Sequence, residues 1–367
     1  MLSTLTGKLA AVFCGCALAS VAMADGKDLY MLNWSEYIVP EIIEGFEKET
    51  GIKVHYNVID SNEMIEAKMM AGSSGYDIIV PSIHILRRLA DLGLLAPLDK
   101  SKLKNYGHLD KAKMAKVATV DTDNTYGIPY TELSTGIGYN VEKVQAIMGK
   151  DYEIDSWDAV FKPENMEKLK RCGVSYLDSP SDMICTAMIY LGKNPASEVA
   201  KDYDAAKELL EKSIPYAAYT HNAKYKEDLT SGEVCVSVGW SGDIASAGFT
   251  AQENNLGTIK YVIPKEGALM GYDMMAIPKD AKNKDNAHLF LDYMMRPEIA
   301  AIITNQIFYA SANADATQYV DQRVRDHKGV YYEPDTLERL HIVVPPMKAV
   351  RTLTRVWNHV KMAGSHK

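Results

Sequence analysis

The chain has 367 residues, enough for roughly two domains. Hydrophobic residues make up 47% and charged residues 24%, the ordinary proportions of a globular protein, and the formal net charge is −8. The negative balance argues against a nucleic-acid-binding protein, which needs a basic face, and 22 tyrosines against 6 phenylalanines are typical of wet clefts and interfaces.

The N-terminus has the pattern of a secretory signal peptide. Lys8 is followed by a short apolar run, and Ala22-Met23-Ala24 supplies small residues at the cleavage position. The run is too short to remain as a membrane span, and Cys16 lies in a poor context for lipidation. We therefore predict that residues 1–24 are removed and that the mature protein is exported.

Strand and helix patterns alternate through the first part of the mature chain. An apolar strand, "LYMLNW", is followed by a helix that has Pro40 in its first turn and Gly51 just past its end. A second strand, "KVHYNVID", leads to a helix that Asp60 and Glu63 would open as a capping box. "YDIIVPS" then predicts a strand buried on both faces, before another helix. This order indicates a parallel α/β sheet.

The pattern changes after Asp121. "YGIPYTELSTGIGYN" is extended, rich in Gly and Thr, and could cross from one lobe to another. A second mixed region follows over residues 140–250, then strands and a helix, and the chain closes with a helix in "VVPPMKAVRTLTRVWNHVK".

Three cysteines remain after cleavage: Cys172, Cys185 and Cys235. An exported protein meets an oxidising compartment, so one disulfide and one free thiol are expected. The spacing alone does not choose the pair.

Catalytic and metal-binding motifs are absent from the sequence. There is no G-x-S-x-G, H-E-x-x-H, P-loop or G-x-G-x-x-G motif, and the nine histidines are scattered without metal-ligand spacing. We therefore predict a protein that is not an enzyme and that carries no cofactor or metal.

Several predicted loops carry carboxylates or aromatic side chains where a plain turn would favour Gly, Pro, Asn or Asp. They are Trp34-Ser35-Glu36-Tyr37, Ser82-Ile83-His84, Asp178 to Asp182, Trp240-Ser241-Gly242-Asp243, and Tyr272-Asp273. Ligands of open parallel sheets bind beyond the carboxyl ends of the strands, so these loops could line one cleft.

Structural roles compete with binding at most of these positions. Asp182 and Asp243 could each cap a helix, and Trp240 could be a core residue. Asp273 lies in an apolar run, where a carboxylate needs a partner. Tyr309 is ambiguous. Two further positions differ: His84 fits a satisfied polar residue better than a ligand contact, whereas nothing in the turn requires the acid at Glu36.

Stretches in order along nearly the whole mature chain resemble the periplasmic polyamine-binding proteins of ABC importers, most closely the putrescine-binding branch. They include "NWSEYI", "FEKETGIKV", "TGIGYN", "CGVSYLD", "VGWSGD" and "FYASAN". The resemblance implies the two-lobed α/β fold of type II periplasmic binding proteins, with a mixed, mainly parallel sheet in each lobe and a ligand cleft between the lobes. It implies a first lobe from residues 25–132 and 257–307, a second from 133–256 and 308–362, and a tail at 363–367.

The resemblance also implies site residues. Trp34, Tyr37, Trp240 and Tyr309 would form aromatic walls, and polar contacts would come from Ser35, Glu36, Ser82, Asp182, Asp243 and Asp273. His84 completes the set. Cys172 and Cys235 fall where the putrescine-binding relative has its disulfide. The implied ligand is a polyamine such as putrescine, cadaverine or spermidine, and the implied protein partner is the permease of an ABC transporter. The resemblance also implies a monomer located in the periplasm.

The sequence departs from the putrescine-binding pattern at four of these positions. Glu36 stands where the relative has Asp, Asp182 where it has Glu, His84 where it has Ser, and Gly271 where it has an aromatic residue. The exact amine therefore stays open. Alternative functions are the same fold binding another small ligand, a polyamine sensor, or an exported enzyme.

Overall fold

The computed structural model describes residues 26–364, so the predicted signal peptide and the last residues of the predicted tail lie outside the described part. Ten strands form one mixed sheet. They are β1 Asp28–Trp34, β2 Lys53–Ile59, β3 Ile78–Ile79, β4 Gly127–Asn140, β5 Val174–Tyr176, β6 Tyr219–Thr220, β7 Val236–Trp240, β8 Ile259–Val262, β9 Ala268–Ala276 and β10 Leu340–Ile342.

Helices cover the sheet and fill the connections. They are α1 Pro40–Thr50, α2 Asn62–Met70, α3 Ile83–Asp91, α4 Lys111–Ala118, α5 Val141–Met148, α6 Asp158–Phe161, α7 Pro163–Leu169, α8 Pro180–Tyr190, α9 Asp204–Ser213, α10 Lys224–Ser231, α11 Ser241–Glu253, α12 Lys284–Met294, α13 Pro297–Ile307, α14 Gln322–Arg325, α15 Pro334–Leu337 and α16 Met347–Gly364. Within the described residues, no helix is long and apolar enough to cross a membrane.

The strand order is β2-β1-β3-β9-β4-β7-β5-β6, with β10 beside β9 and β8 beside β4. β1 is parallel to both of its neighbours, as is β5, whereas β4 and β9 are antiparallel to each other. The predicted α/β class with a mixed sheet is thereby confirmed.

β4 connects the two halves of the molecule, one of which contains β9 and the other β7. Its residues 127–134 pair with β9, and its residues 135–139 pair with β7. β8 also pairs with residues 137–140 of β4, although the predicted boundaries put β8 in the first lobe and this part of β4 in the second. The extended run after Asp121 therefore pairs with β9 along its first part and with β7 along its second.

Local sequence features set the element boundaries near the start of the chain. Pro40 opens α1, and Gly51 ends it in the left-handed region at φ 72°. The prediction that Asp60 caps α2 is wrong by one residue, because the Ser61 side chain accepts the hydrogen bond from the Met64 amide. The strand predicted over "YDIIVPS" is also shorter than expected, since only Ile78–Ile79 forms β3.

The predicted disulfide is confirmed. Cys172 and Cys235 are bonded, with their Cα atoms 5.4 Å apart, and Cys185 is a buried free thiol. Cys172 follows α7 and Cys235 precedes β7, so the bond ties a surface turn to a central strand of the second half. The bond closes a loop across a sequence separation of 63 residues.

We expect the variant Cys172→Ala/Cys235→Ala to unfold with a free energy about 2–4 kcal/mol lower than the wild type, because a cross-link restricts the unfolded chain. Urea unfolding followed by circular dichroism measures the difference. The matched control is reductant, which should lower the stability of the wild type toward that of the variant and leave the variant unchanged. Equal stability of the oxidised wild type and the variant would contradict the expectation.

Candidate functional site

A cavity of about 760 Å³ lies between the two halves of the molecule. All eleven residues predicted for the site line it: Trp34, Ser35, Glu36, Tyr37, Ser82, His84, Asp182, Trp240, Asp243, Asp273 and Tyr309. They come from loops and helix starts that follow β1, β3, β5 and β7, and from β9 and the segment after α13. The structure thus brings the predicted loops to one place, as expected where strand ends meet.

The loop after β1 contributes one wall. The Trp34 indole nitrogen donates a hydrogen bond to the Val80 carbonyl oxygen at 2.9 Å, which fixes the ring against β3. Tyr37 is buried, whereas the Glu36 side chain is 72% exposed. Glu36 has φ 55°, an uncommon left-handed conformation for a residue other than glycine. The turn therefore directs neighbouring side chains to different depths of the cavity.

Asp273, on β9, is held by two hydroxyl groups. Tyr37 Oη donates to one carboxylate oxygen at 2.8 Å, and Ser82 Oγ donates to the other at 2.8 Å. These are the partners that a carboxylate in an apolar run requires. Burial raises the pKa of Asp273 to about 6, although the two hydroxyl hydrogen bonds act in the opposite direction.

Asp182 lies in the first turn of α8 but does not cap it. The cap is Ser179, whose hydroxyl accepts from the Asp182 amide at 3.3 Å. The Asp182 carboxylate accepts from Thr135 Oγ1 at 2.6 Å and from the Trp240 indole nitrogen at 3.3 Å. Its other oxygen accepts from Ser179 Oγ at 2.6 Å, so the carboxylate is held both by its own helix start and by two residues that line the cavity.

Asp243 lies in the first turn of α11, where the N-cap position is Trp240 and no side chain makes a capping bond. The Asp243 carboxylate accepts from Tyr225 Oη at 2.6 Å and from Tyr309 Oη at 3.0 Å. Burial raises its pKa, and the tyrosine hydrogen bonds partly offset that effect. Helix capping, considered from the sequence, is thus the role of neither Asp182 nor Asp243.

Four aromatic side chains, Trp34, Tyr37, Trp240 and Tyr309, line the cavity. The Tyr37 and Tyr309 rings meet edge to face with centroids 5.5 Å apart, and both tyrosines are buried. Trp34 and Trp240 are partly buried against the same core. Trp240 is therefore both a packing residue and a lining residue, which reconciles the two interpretations open from the sequence.

Two of the departures from the putrescine-binding pattern can be placed. His84 is half-buried, and burial, together with the nearby Arg88 charge, lowers its pKa to about 3. It is neutral near pH 7 and adds no positive charge. A Cβ atom at Gly271 would meet nothing within 4 Å, so the missing aromatic side chain leaves open space in the cavity.

Lys226 lines the cavity although it is not among the residues predicted for the site. This residue lies on α10, in the polar run "KYKEDLTS", and its ammonium forms an ion pair with Glu36 from the opposite half. Tyr225, the partner of Asp243, comes from the same helix. A charged residue on an amphipathic helix ordinarily faces solvent, so nothing in the local pattern distinguishes Lys226 from Lys224.

Comparison with known proteins identifies the family. Residues 41–329 match the family of bacterial extracellular solute-binding proteins. The chain belongs to this family.

Two relatives and one solved structure resemble this solute-binding protein over nearly its whole length. It is 46% identical to a putrescine-binding periplasmic protein of Escherichia coli (strain K12), covering 97% of each chain. It is 45% identical to a putrescine-binding periplasmic protein of Pseudomonas aeruginosa (strain UCBPP-PA14), covering 96% of this chain and 97% of the relative. A spermidine/putrescine ABC transporter substrate-binding protein of Streptococcus pneumoniae superposes with a TM-score of 0.75 at 26% identity over 92% of this chain and 100% of that chain. The predicted two-lobed fold is confirmed.

The charges around the cavity of this solute-binding protein favour a cation. Within residues 26–364, no lysine or arginine forms an ion pair with Asp182, Asp243 or Asp273. No group of three or more metal-ligating side chains occurs in the described part. The carboxylates accept hydrogen bonds from hydroxyl and indole donors instead, and these donors carry no positive charge. An organic cation is the ligand that this arrangement stabilises best.

Proposed function

We propose that this solute-binding protein captures a polyamine between its two lobes and delivers it to an ABC permease. The observation that carries the proposal is the set of three carboxylates, Asp182, Asp243 and Asp273, that line an aromatic cavity without a lysine or arginine partner in the described chain. Burying such charges is costly unless a cation arrives to pair with them.

The chemistry of a polyamine fits this cavity. Each ammonium donates three hydrogen bonds and accepts none, so carboxylate and serine oxygens are its natural partners. A hydrogen bond to a charged group contributes about 1.5–3 kcal/mol. The methylene chain prefers apolar walls, and an aromatic face attracts a cation by about 0.5–2 kcal/mol. A micromolar complex needs only about −8 kcal/mol in total.

The roles of the residues follow from their places. Trp34, Tyr37, Trp240 and Tyr309 cover the methylene chain. Asp182, Asp243 and Asp273 receive the ammonium groups, and a further group of lining residues, Ser35, Glu36, Ser82 and His84, shapes the polar ends.

We keep the lobe boundaries predicted from the sequence, except that one strand, β8, moves to the second lobe. The pairing of β8 with residues 137–140 of β4 favours placing Ile259–Val262 with the second lobe. Ligand then closes the two lobes about the crossing strand β4.

The partners and location follow from the relatives. Those compared above are periplasmic binding proteins for putrescine and a substrate-binding protein of an ABC transporter. We propose the periplasm as the location after removal of residues 1–24, a monomeric state, an ABC permease as the docking partner, and no enzymatic activity.

Thermal unfolding of the mature protein tests the function. A ligand that binds only the folded state raises its stability by about 2.7 kcal/mol at 100 times its Kd. Putrescine, cadaverine, spermidine and agmatine form the test set, with glutamate and glucose as controls. We expect a rise in Tm with at least one amine and none with the controls. A rise with a control alone would show that the fold serves a different ligand.

A further inference from the structure

The two ends of the cavity differ in charge. Asp182 and Asp273 lie near each other at one end, where the pKa of Asp273 is raised first by burial and then, among smaller effects, by the negative charge of Asp182. Glu36 and Asp243 lie at the other end, where Lys226 is also present. Among these side chains, the first end therefore has two carboxylates, and the second has two carboxylates and one ammonium. Lys224 also lines the cavity, but its ammonium is paired with Asp228 on its own helix.

Lys226 reaches this second end from across the cavity. It lies on α10, whereas its partner Glu36 lies in the loop after β1, so the ion pair connects the two halves of the molecule. The Lys226 side chain is 29% exposed and Glu36 is 72% exposed, which places the pair at the mouth. The charge of Lys226 is also close enough to lower the pKa of Asp243, against the larger effect of burial.

We propose that Lys226 is a specificity-determining residue whose ammonium fills the Glu36 end of the cavity, so that the cavity accepts a diamine and rejects an amine with a third charged nitrogen. This inference rests on the proposed function. It gives Glu36 a different role from direct contact with the ligand, because its carboxylate is already paired with Lys226.

The physical reason is competition between a tethered and a free cation. Lys226 is held on a helix beside Glu36, so its effective concentration there is high, and a ligand ammonium must displace it or lie beside a like charge. A diamine avoids most of this conflict because its two ammonium groups need only the Asp182–Asp273 pair and Asp243, which Tyr225 and Tyr309 hold, and the exposed Lys226–Glu36 pair at the mouth can stay intact. The third nitrogen of spermidine would extend toward Lys226.

Isothermal titration of the mature protein with putrescine and with spermidine tests the inference. We expect Lys226→Met to bind spermidine roughly tenfold more tightly than the wild type does, with a much smaller change for putrescine, since methionine keeps the length and loses the charge. The matched control is Lys226→Arg, which keeps the charge and should retain the wild-type ratio of the two affinities.

Ionic strength separates this role from a purely structural one. Because the mouth is exposed, salt should reduce the discrimination of the wild type against spermidine and leave that of Lys226→Met nearly unchanged. If Lys226 had only a structural role, its replacement would instead weaken the binding of both ligands by the same factor. If the wild type binds amines and Lys226→Met has the same ratio of spermidine to putrescine affinity, the proposed role of Lys226 is wrong while the proposed function stands. If the wild type binds neither amine, the proposed function fails and this inference fails with it.

Discussion

Replacing Asp273 with asparagine is expected to weaken putrescine binding roughly 100-fold, because charge-assisted hydrogen bonds contribute about 1.5–3 kcal/mol each. Asp273 is 5% exposed, and both of its oxygens are already oriented by Tyr37 and Ser82. The carboxylate is thus preorganised for a cation. Isothermal titration at neutral pH measures the loss.

The same substitution is expected to leave the ligand-free protein at least as stable as the wild type near neutral pH. Asparagine removes a buried charge, which stabilises the folded protein. This gain offsets the weakening of one of the two hydrogen bonds that the hydroxyl groups donate to the side chain. Asp151→Asn, an exposed acid-to-amide change outside the cavity, is the matched control and should alter neither quantity. Unchanged putrescine affinity in Asp273→Asn would remove Asp273 from the binding site.

Much of the fold could be predicted from the sequence because its cues are local. The alternation of β1, α1 and β2 follows from apolar period and from Pro40 and Gly51 at the helix ends. The extended Gly- and Thr-rich run became β4, the strand that crosses between the halves. The loops that line the cavity could also be identified, since acids and aromatic residues after buried strands lie where ligands of such sheets bind.

The remaining features depend on tertiary contacts that leave no local pattern. Asp60 and Ser61 are equally good capping residues, and only the backbone conformation at Ser61 decides between them. The disulfide pair came from the family resemblance, because three cysteines allow more than one pairing. Lys226 acquires its role from Glu36, which is distant in sequence and lies on the opposite half.

The partners of Asp243 also depend on tertiary contacts that the local sequence does not reveal. Capping of α11 by Asp243 was a reasonable hypothesis from a helix start, yet the side chain is bonded to Tyr225 and Tyr309 instead. Two tyrosine hydroxyls on different elements outcompete a local backbone amide, and their convergence is a property of the folded chain. The abundance of tyrosine was the only sequence feature that hinted at such contacts.

Putrescine affinity is expected to fall as the pH decreases through about 6. Burial raises the pKa of Asp273 to about 6 in the ligand-free protein, and an ammonium binds the ionised form. Protonation therefore competes with the ligand, and affinity at pH 5 should be about tenfold lower than at pH 7. Asp243, whose pKa burial also raises, acts in the same direction. His84, with a pKa of about 3, stays neutral in this window and contributes no repulsion.

The stability of the ligand-free protein should respond to Asp273 with the opposite sign. A carboxyl group with a raised folded-state pKa holds its proton more firmly in the folded state, so its contribution to the free energy of unfolding grows as the pH falls from above 6 toward 4. Relative to Asp273→Asn, the wild type should gain up to about 3 kcal/mol over that range. Measuring the stability of both proteins across this pH range, with and without putrescine, separates the two effects. In Asp273→Asn, both the pH dependence of affinity and the pH dependence of stability should lose the contribution of Asp273. An identical pH dependence of affinity in both proteins would assign the titration to another group, with Asp243 the next to replace.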